Sequence, residues 1–296
     1  MELAELRQAI EASDAEWVPG ETSLSPYEID PEAMELLGYV PGPEEPSLDE
    51  QEAMAQAGLE TFALGAPGYP PAHDWRDAGG DFVTPIRDQA RCGSCVAFGS
   101  CATVEGTLRV QEQDAGLEVD LSEAQLFYCI ARAQGRRCSG QQTGGWWPSA
   151  ALDAFREEGV ADEACYPYQA GDQDCTDLRS DWRSRLTTIA GWQEIDAQPE
   201  MRAWLSERGP LVGTMKVYED FARYYRGGVY KYVAGNFGGG HCICLVGYDD
   251  PAGCWIGKNS WGTDWGEEGF FRIAYGECAI DSTMWAVEGA SSQGTG

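Results

Sequence analysis

Helix signals and strand signals fall in different parts of this chain, and that separation constrains its fold more than any other feature. Helical periodicity and capping mark residues of about 95–111, 122–133 and 149–158, with Ser122-Glu123 as the cap and first-turn acid of the second. Beyond residue 210 short β-type runs take over: Gly228 to Val233, His241 to Tyr248, Cys254 to Lys258, Gly269 to Ala274 and Thr283 to Val287. Helices followed by strands, without an internal repeat, predict an α+β fold in which a helical half packs on a small β half.

The first 66 residues are set apart by charge. They hold sixteen Asp/Glu and one Lys/Arg, whereas residues 67–296 hold 33 and 19. Within this segment Glu2 to Ala12 has helical spacing at Leu3, Leu6 and Ile10, a second helix is expected near Pro31 to Leu37, and a third around Leu48 to Ala57. Pro41-Gly42-Pro43 and Pro46 separate the last two, and the run from Gly65 to Pro71 reads as a connector, which places a boundary near residue 66.

The whole chain of 296 residues has 49 acidic and 20 basic residues, net −29. It therefore lacks the cationic surface that binds nucleic acid, and no apolar stretch is long enough to span a bilayer. Eleven cysteines favour disulfides and a secreted or other oxidising location. The stretch Met1 to Arg7, however, does not read as a secretory signal.

Cys92-Gly93-Ser94-Cys95 leaves three chemistries open. A redox pair needs a strand-helix-strand context, and Pro85 with the irregular run before Cys92 supplies no obvious one. A zinc half-site needs a second well-spaced pair, and Cys242-x-Cys244 is spaced wrongly. A nucleophilic Cys95 at a helix start gains from the helix dipole, which favours the thiolate. Such a nucleophile needs a base. Only His73, in the Pro-rich connector, and His241, opening an apolar strand after three glycines, are available. Asn236 and Asn259 are the only asparagines. Asn259, in Lys258-Asn259-Ser260-Trp261-Gly262, carries an amide that could orient an imidazole and an indole that could shield it.

Together these motifs resemble the papain-like cysteine peptidases, the cathepsin group, over residues of about 72 to 288. His241 and Asn259 lie 146 and 164 residues after Cys95. The resemblance implies a two-lobed fold with the active-site cleft between a mainly helical lobe (about 67–190) and a mainly β, barrel-like lobe (about 191–296). It implies Cys95 as nucleophile, His241 as acid-base residue, Asn259 as its orienting partner and Gln89 as side-chain oxyanion donor. Trp261 would shield the Asn-His hydrogen bond, and Trp265 would wall the leaving-group side. Gly144-Gly145 would be the backbone edge for an extended substrate, Trp146 and Trp147 would line the main specificity pocket, and Thr283 would be its floor. A neutral floor favours apolar over basic side chains.

The resemblance also implies disulfides Cys92–Cys138 and Cys129–Cys175, with Cys101, Cys165, Cys242, Cys244, Cys254 and Cys278 unassigned. The implied activity is endopeptidase cleavage of protein or peptide substrates by a monomer that needs no metal or organic cofactor. The segment before Cys95 is most similar to that of cathepsin C. The N-terminal 66 residues resemble an inhibitory pro-segment, with Trp17 to Thr22 similar to a cathepsin B-type propeptide motif. The alternatives are a catalytically silent papain-like binder of peptides or inhibitors, and a Cys-His amidase or dipeptidyl peptidase.

Overall fold

The computed structural model describes residues 1–29, 35–61 and 68–293. Its helices are α1 (Leu3–Glu11), α2 (Leu48–Thr61), α3 (Cys95–Glu112), α4 (Pro148–Glu157), α5 (Gln198–Glu207) and α6 (Glu219–Tyr224). Its strands are β1 (Val18–Pro19), β2 (Ala72–Asp74), β3 (Val160–Ala161), β4 (Leu186–Ile195), β5 (Leu211–Tyr218), β6 (Tyr225–Gly227), β7 (Val229–Tyr230), β8 (Phe237–Asp249), β9 (Cys254–Lys258), β10 (Phe270–Ala274) and β11 (Met284–Ser292). The fold is α+β, as the order of signals predicts.

Local chemistry accounts for these elements. Proline at the first turn of α4 is pre-set for helix and loses no intrahelical bond there. At the predicted helix 122–133, the Ser122 hydroxyl accepts the Gln125 amide as a cap, but Gln125–Ala131 widens into a π-turn. The helix expected from Pro31 lies largely outside the described residues, and Glu35 to Leu37 are not helical.

The main sheet runs β3-β4-β11-β5-β8-β9-β10-β7, with β2 also paired to β8. All these pairings are antiparallel except β10 with β7. β4 and β5 carried no predicted strand. β5 is buried on both faces except at its last residue, so its Leu-Val-Gly-Thr-Met-Lys-Val sequence lacks polar alternation. The expected lobe boundary near 190 falls inside β4, which pairs with both β3 and β11.

Two large apolar clusters flank a common seam. One holds Leu211, Met215, Phe221, Leu245, Trp255 and Phe271 of the strand-rich half, and the other holds Val96, Val104, Phe127, Leu152 and Phe155 of the helical half. Each fully buried side chain of this size contributes about 2 kcal/mol. α3 lies across β8 and β11, so its first residue meets the strand carrying His241. No helix among the described residues is long and apolar enough to cross a membrane.

The N-terminal segment is part of this packing. β1 pairs with β6, and Trp17 is buried against Tyr225 and Tyr230 with its indole N–H on Lys231 O at 2.9 Å. Acidic groups of the segment reach cations elsewhere: Asp14 to Lys231, Glu35 to Arg91, and Asp49 and Glu52 to Lys216.

Candidate active site

The disulfide Cys92–Cys138 anchors the turn ahead of α3, and Cys129–Cys175 ties the helical half nearby. The remaining seven cysteines are buried thiols. Cys95 opens α3, and its sulfur accepts the Cys242 amide at 3.4 Å and the Gly38 amide at 3.2 Å. The first of these bonds locks β8, with His241 beside Cys242, onto the start of the helix.

His241 is fully buried. Its Nε2 lies 2.8 Å from Asn259 Oδ1, which also accepts the Ser260 amide at 2.8 Å. The Ser260 N–H can only donate, so the atom it faces is the oxygen, and an oxygen only accepts, so Nε2 carries the imidazole proton. Nδ1, with no hydrogen-bond partner among the described residues, is left as the basic nitrogen. The Trp261 ring stacks on the imidazole at 4.5 Å and 27°. His73 pairs in β2 with Tyr248, away from this arrangement.

Gln89 is buried and doubly held: its amide N–H donates to Ser260 O at 2.9 Å, and its Oε1 accepts the Ser260 hydroxyl at 2.6 Å. That leaves Nε2 to donate to Cys92 O at 2.8 Å and Leu36 O at 3.1 Å. Ser260 was not singled out in the sequence, although its place directly after Asn259 was the available signal.

Burial governs the electrostatics. It pushes the Cys95 thiol up to about 12, against smaller opposing effects of the amides at its sulfur. It brings the His241 imidazole down to about 4, with the Asn259 hydrogen bond opposing. In this closed form both groups are neutral at pH 7, since burial penalises the charged state of each.

What closes the site is the chain from Leu36 to Val40. Gly38 O accepts the Trp146 amide at 2.8 Å, Tyr39 N–H reaches Gly240 O at 3.0 Å, and Val40 N–H reaches Trp146 O at 3.0 Å. Gly38 must be glycine, because a Cβ there would lie 1.9 Å from Gly93 O. Gly145 has φ +73°, and a Cβ would lie 2.4 Å from Gly38 O.

The segment thus pairs with the backbone of Trp146, with Gly145 clearing its approach. The Trp146 side chain does not line a pocket, in contrast to the expectation: it is buried in the helical core, with its indole N–H on Gln134 Oε1 at 2.9 Å. Trp147 and Thr283 do line a cavity, of about 520 Å³, together with Trp192, Trp285, Glu194 and Asp153. Thr283 is neutral, but the two carboxylates on the wall weaken the electrostatic case against a basic side chain there. Trp265 is fully buried, its indole N–H on Ala222 O at 2.9 Å, in a cluster that includes Leu24, Leu36 and Leu37.

A family model, papain family cysteine protease, matches residues 69–287. The chain belongs to the papain family of cysteine proteases. It is 35% identical to cysteine proteinase 2 of Entamoeba histolytica over 69% of this chain and 63% of that protein. It is 34% identical to cathepsin B-like CP3 of Giardia intestinalis over 77% of this chain and 78% of that protein. The match thus spans less than two thirds of the Entamoeba protein's length. The digestive procathepsin L2 proteinase from Tenebrio molitor larval midgut superposes with a TM-score of 0.72 at 24% identity, covering 97% of this chain and 88% of that one. This likeness extends the shared fold over the N-terminal segment of the papain-family chain. The two disulfides fit an oxidising compartment.

Proposed function

We propose that this chain is the precursor of an endopeptidase, with residues 1–66 as its inhibitory pro-segment and Cys95, His241, Asn259 and Gln89 as its catalytic machinery. The observation that carries this reading is the placement of Leu36 to Tyr39 over Cys95, with Gln89 holding a carbonyl oxygen. That carbonyl belongs to Leu36, whereas the group at the sulfur is the Gly38 amide. The carbonyl at Gln89 and the N–H at the sulfur thus belong to different peptide bonds of the covering segment.

Once the cleft is open, Cys95 gives its proton to His241 Nδ1 and the thiolate attacks a substrate carbonyl carbon. Gln89 Nε2 and the Cys95 backbone N–H stabilise the oxyanion. The carbon–nitrogen bond breaks as His241 protonates the amine, and water, deprotonated by His241, releases the acyl group and restores the thiol. Asn259 keeps the imidazole in the required tautomer, and Trp261 shields that bond from water. Gly144-Gly145 and Trp146 form the substrate edge, and Trp147 and Thr283 form the pocket, with Trp265 toward the leaving-group side.

Tyr39 pairs with Gly240, next to His241, and its phenol faces Thr214. Its hydroxyl is held within the segment, 2.9 Å from Glu45 Oε2 and 2.7 Å from Gln51 Nε2, and those two residues border the Trp147–Thr283 cavity. An aromatic or other apolar side chain is expected to be preferred over arginine in kcat/KM through burial against Trp147, Trp192 and Trp285, with Asp153 and Glu194 narrowing the margin. The test is a panel of internally quenched peptides, N-terminal and C-terminal dipeptide substrates and non-peptide amides, given to the processed protein. Internal cleavage after an aromatic-containing pair is the expected outcome. Release of dipeptides at comparable rates would replace endopeptidase by exopeptidase, and turnover of non-peptide amides alone would favour an amidase.

Ser260 acts through Gln89 as a positioning residue. Ser260→Ala is expected to lower kcat about tenfold with KM nearly unchanged, less than the ~10²–10³ loss on removing an oxyanion donor outright. Steady-state kinetics on one peptide checks the split, and a matching rise in KM would make its role substrate binding.

A further inference from the structure

Three of the groups proposed to act in cleavage sit on separate pieces of chain: Cys95 on α3, Gln89 on the loop before it, and Asn259 directly after β9. A second set of buried side chains joins the same three pieces. Lys258, the last residue of β9, is 4% exposed, and its ammonium donates to Thr84 Oγ1 at 2.8 Å. The Thr84 hydroxyl, on the stretch leading to Gln89, donates in turn to Glu105 Oε2 at 2.5 Å. Glu105 lies on α3, about 15 Å along the helix from Cys95. Its Oε1 accepts the Leu121 amide at 2.8 Å, and both Thr84 and Glu105 are as buried as Lys258.

One hydroxyl carries this junction. A threonine oxygen accepts and donates at once, so it serves an ammonium on one side and a carboxylate on the other. Valine has nearly the same shape and serves neither. Among the described residues, no ion pair joins Lys258 to Glu105 directly, and no other chain of side-chain hydrogen bonds leads from β9 to α3.

The site has slack that such a junction removes. Asn259 Oδ1 is held by His241 and by the Ser260 amide, whereas Nδ2 is buried with no hydrogen-bond partner among the described residues. The amide is thus clamped at one end only, and its direction depends on where the main chain leaves β9, one residue after Lys258. A buried polar network with its members satisfied stiffens the elements it joins.

We propose that the Lys258–Thr84–Glu105 junction holds Asn259 and the Gln89 loop in place against α3, which makes these three positioning residues for cleavage. Its part in cleavage rests on the peptidase reading above. The competing role is stability alone, with no influence on His241.

Thr84→Val and Thr84→Ser separate the two. Valine keeps the shape and loses the hydroxyl, whereas serine keeps the hydroxyl and loses a methyl, so a junction and a packing site rank them in opposite order. The first readout is the ring-nitrogen NMR shifts of the full chain carrying isotope-labelled histidine, where His73 and His241 are the only signals. In the unaltered protein the two His241 nitrogens stand apart, because Nε2 alone holds the proton. In Thr84→Val they are expected to move at least about a tenth of the way toward each other as the second tautomer is populated, and in Thr84→Ser to stay. The second readout is kinetics after limited proteolysis, with kcat taken per alkylated Cys95 so that incomplete folding cancels. Thr84→Val is expected to lower kcat about tenfold with KM within about twofold, and Thr84→Ser to keep most of kcat. Lys258→Met, which removes the donor and leaves the Thr84–Glu105 bond, gives both readouts independently should Thr84→Val not fold.

Unmoved shifts in Thr84→Val, or a larger effect in Thr84→Ser, would overturn the proposal. Moved shifts with kcat unchanged would overturn its part in cleavage. The shifts need no substrate, so they test the junction even where no peptide is cut, an outcome that would remove the peptidase reading instead.

Discussion

Cys95→Ala is expected to bring peptide hydrolysis by the processed protein to background, a loss of about 10⁴-fold or more in kcat, with the fold intact. The sulfur forms the covalent bond, and no neighbouring group can replace it. Cys242 follows the base directly in sequence, but its thiol is buried under Gly99 of α3, where a Cβ on Gly99 would already lie 2.8 Å from the sulfur. Alanine at 95 removes only the hydrogen bonds from the Cys242 and Gly38 amides, so circular dichroism and thermal unfolding of the full chain should change little. Residual turnover within tenfold of the unaltered protein would place the nucleophile elsewhere, whereas absence of turnover in the unaltered processed protein would return the silent-binder reading.

Removal of residues 1–66 carries the second large effect. Full chain and processed protein are to be compared by iodoacetamide labelling and intact mass at pH 5 and 7, with Cys95→Ala as control. The processed protein should gain one rapid adduct, absent from the control, at least about a hundredfold faster than the full chain. The reason is electrostatic as well as steric. In the closed form burial favours the neutral thiol and the neutral imidazole, and opening to water lets the ion pair form. Equal labelling of both forms would end the inhibitory role of the segment.

The pH at which the segment lets go has a defined sign. The Lys231 ammonium, by hydrogen bond and then charge, holds the Asp14 carboxyl below its ordinary 3.8 while the segment is docked. The docked state therefore binds fewer protons, so this contact is complete above that ordinary value and is lost only as pH falls through the lowered one. Mild acid near pH 5 leaves it intact. Burial holds the Glu45 carboxyl of the same segment above its ordinary value, so that contact does not weaken in mild acid either, and docking is expected to persist at pH 5 until the chain is cut. A size-exclusion profile of nicked protein across pH 3–7 reads this directly.

The proposed catalytic residues stood out because their residue types are scarce. With two histidines and two asparagines, only His241 and Asn259 sat in strand-and-indole contexts suited to a cysteine at a helix start. Gln89 required the resemblance, since a glutamine in a loop has no periodic signal. Helices α1 to α4 and strands β9 and β10 were readable from caps, prolines and short apolar runs. β5 was not, because burial on both faces erases the alternation by which a strand announces itself.

Other features depended on the fold. Trp146 and Trp147 are adjacent and chemically alike, yet one is sealed in the helical core by Gln134 and the other faces the cavity. Only packing around the turn at Gly145 decides which. In the N-terminal segment the expected motif, Trp17 to Thr22, docks on β6 and the aromatic cluster, while Leu36 to Tyr39, which overlaps the end of an expected helix, covers Cys95. The chain's local chemistry determined the α+β order of elements, the acidic N-terminal segment and the candidate reacting groups, because caps, periodicity and rare residue types act over a few positions. Tertiary structure alone decided which carbonyl Gln89 holds, that Ser260 aims it, and that Lys216 meets acids more than 160 residues before it. Those contacts join segments distant in sequence, and nothing local encodes their meeting.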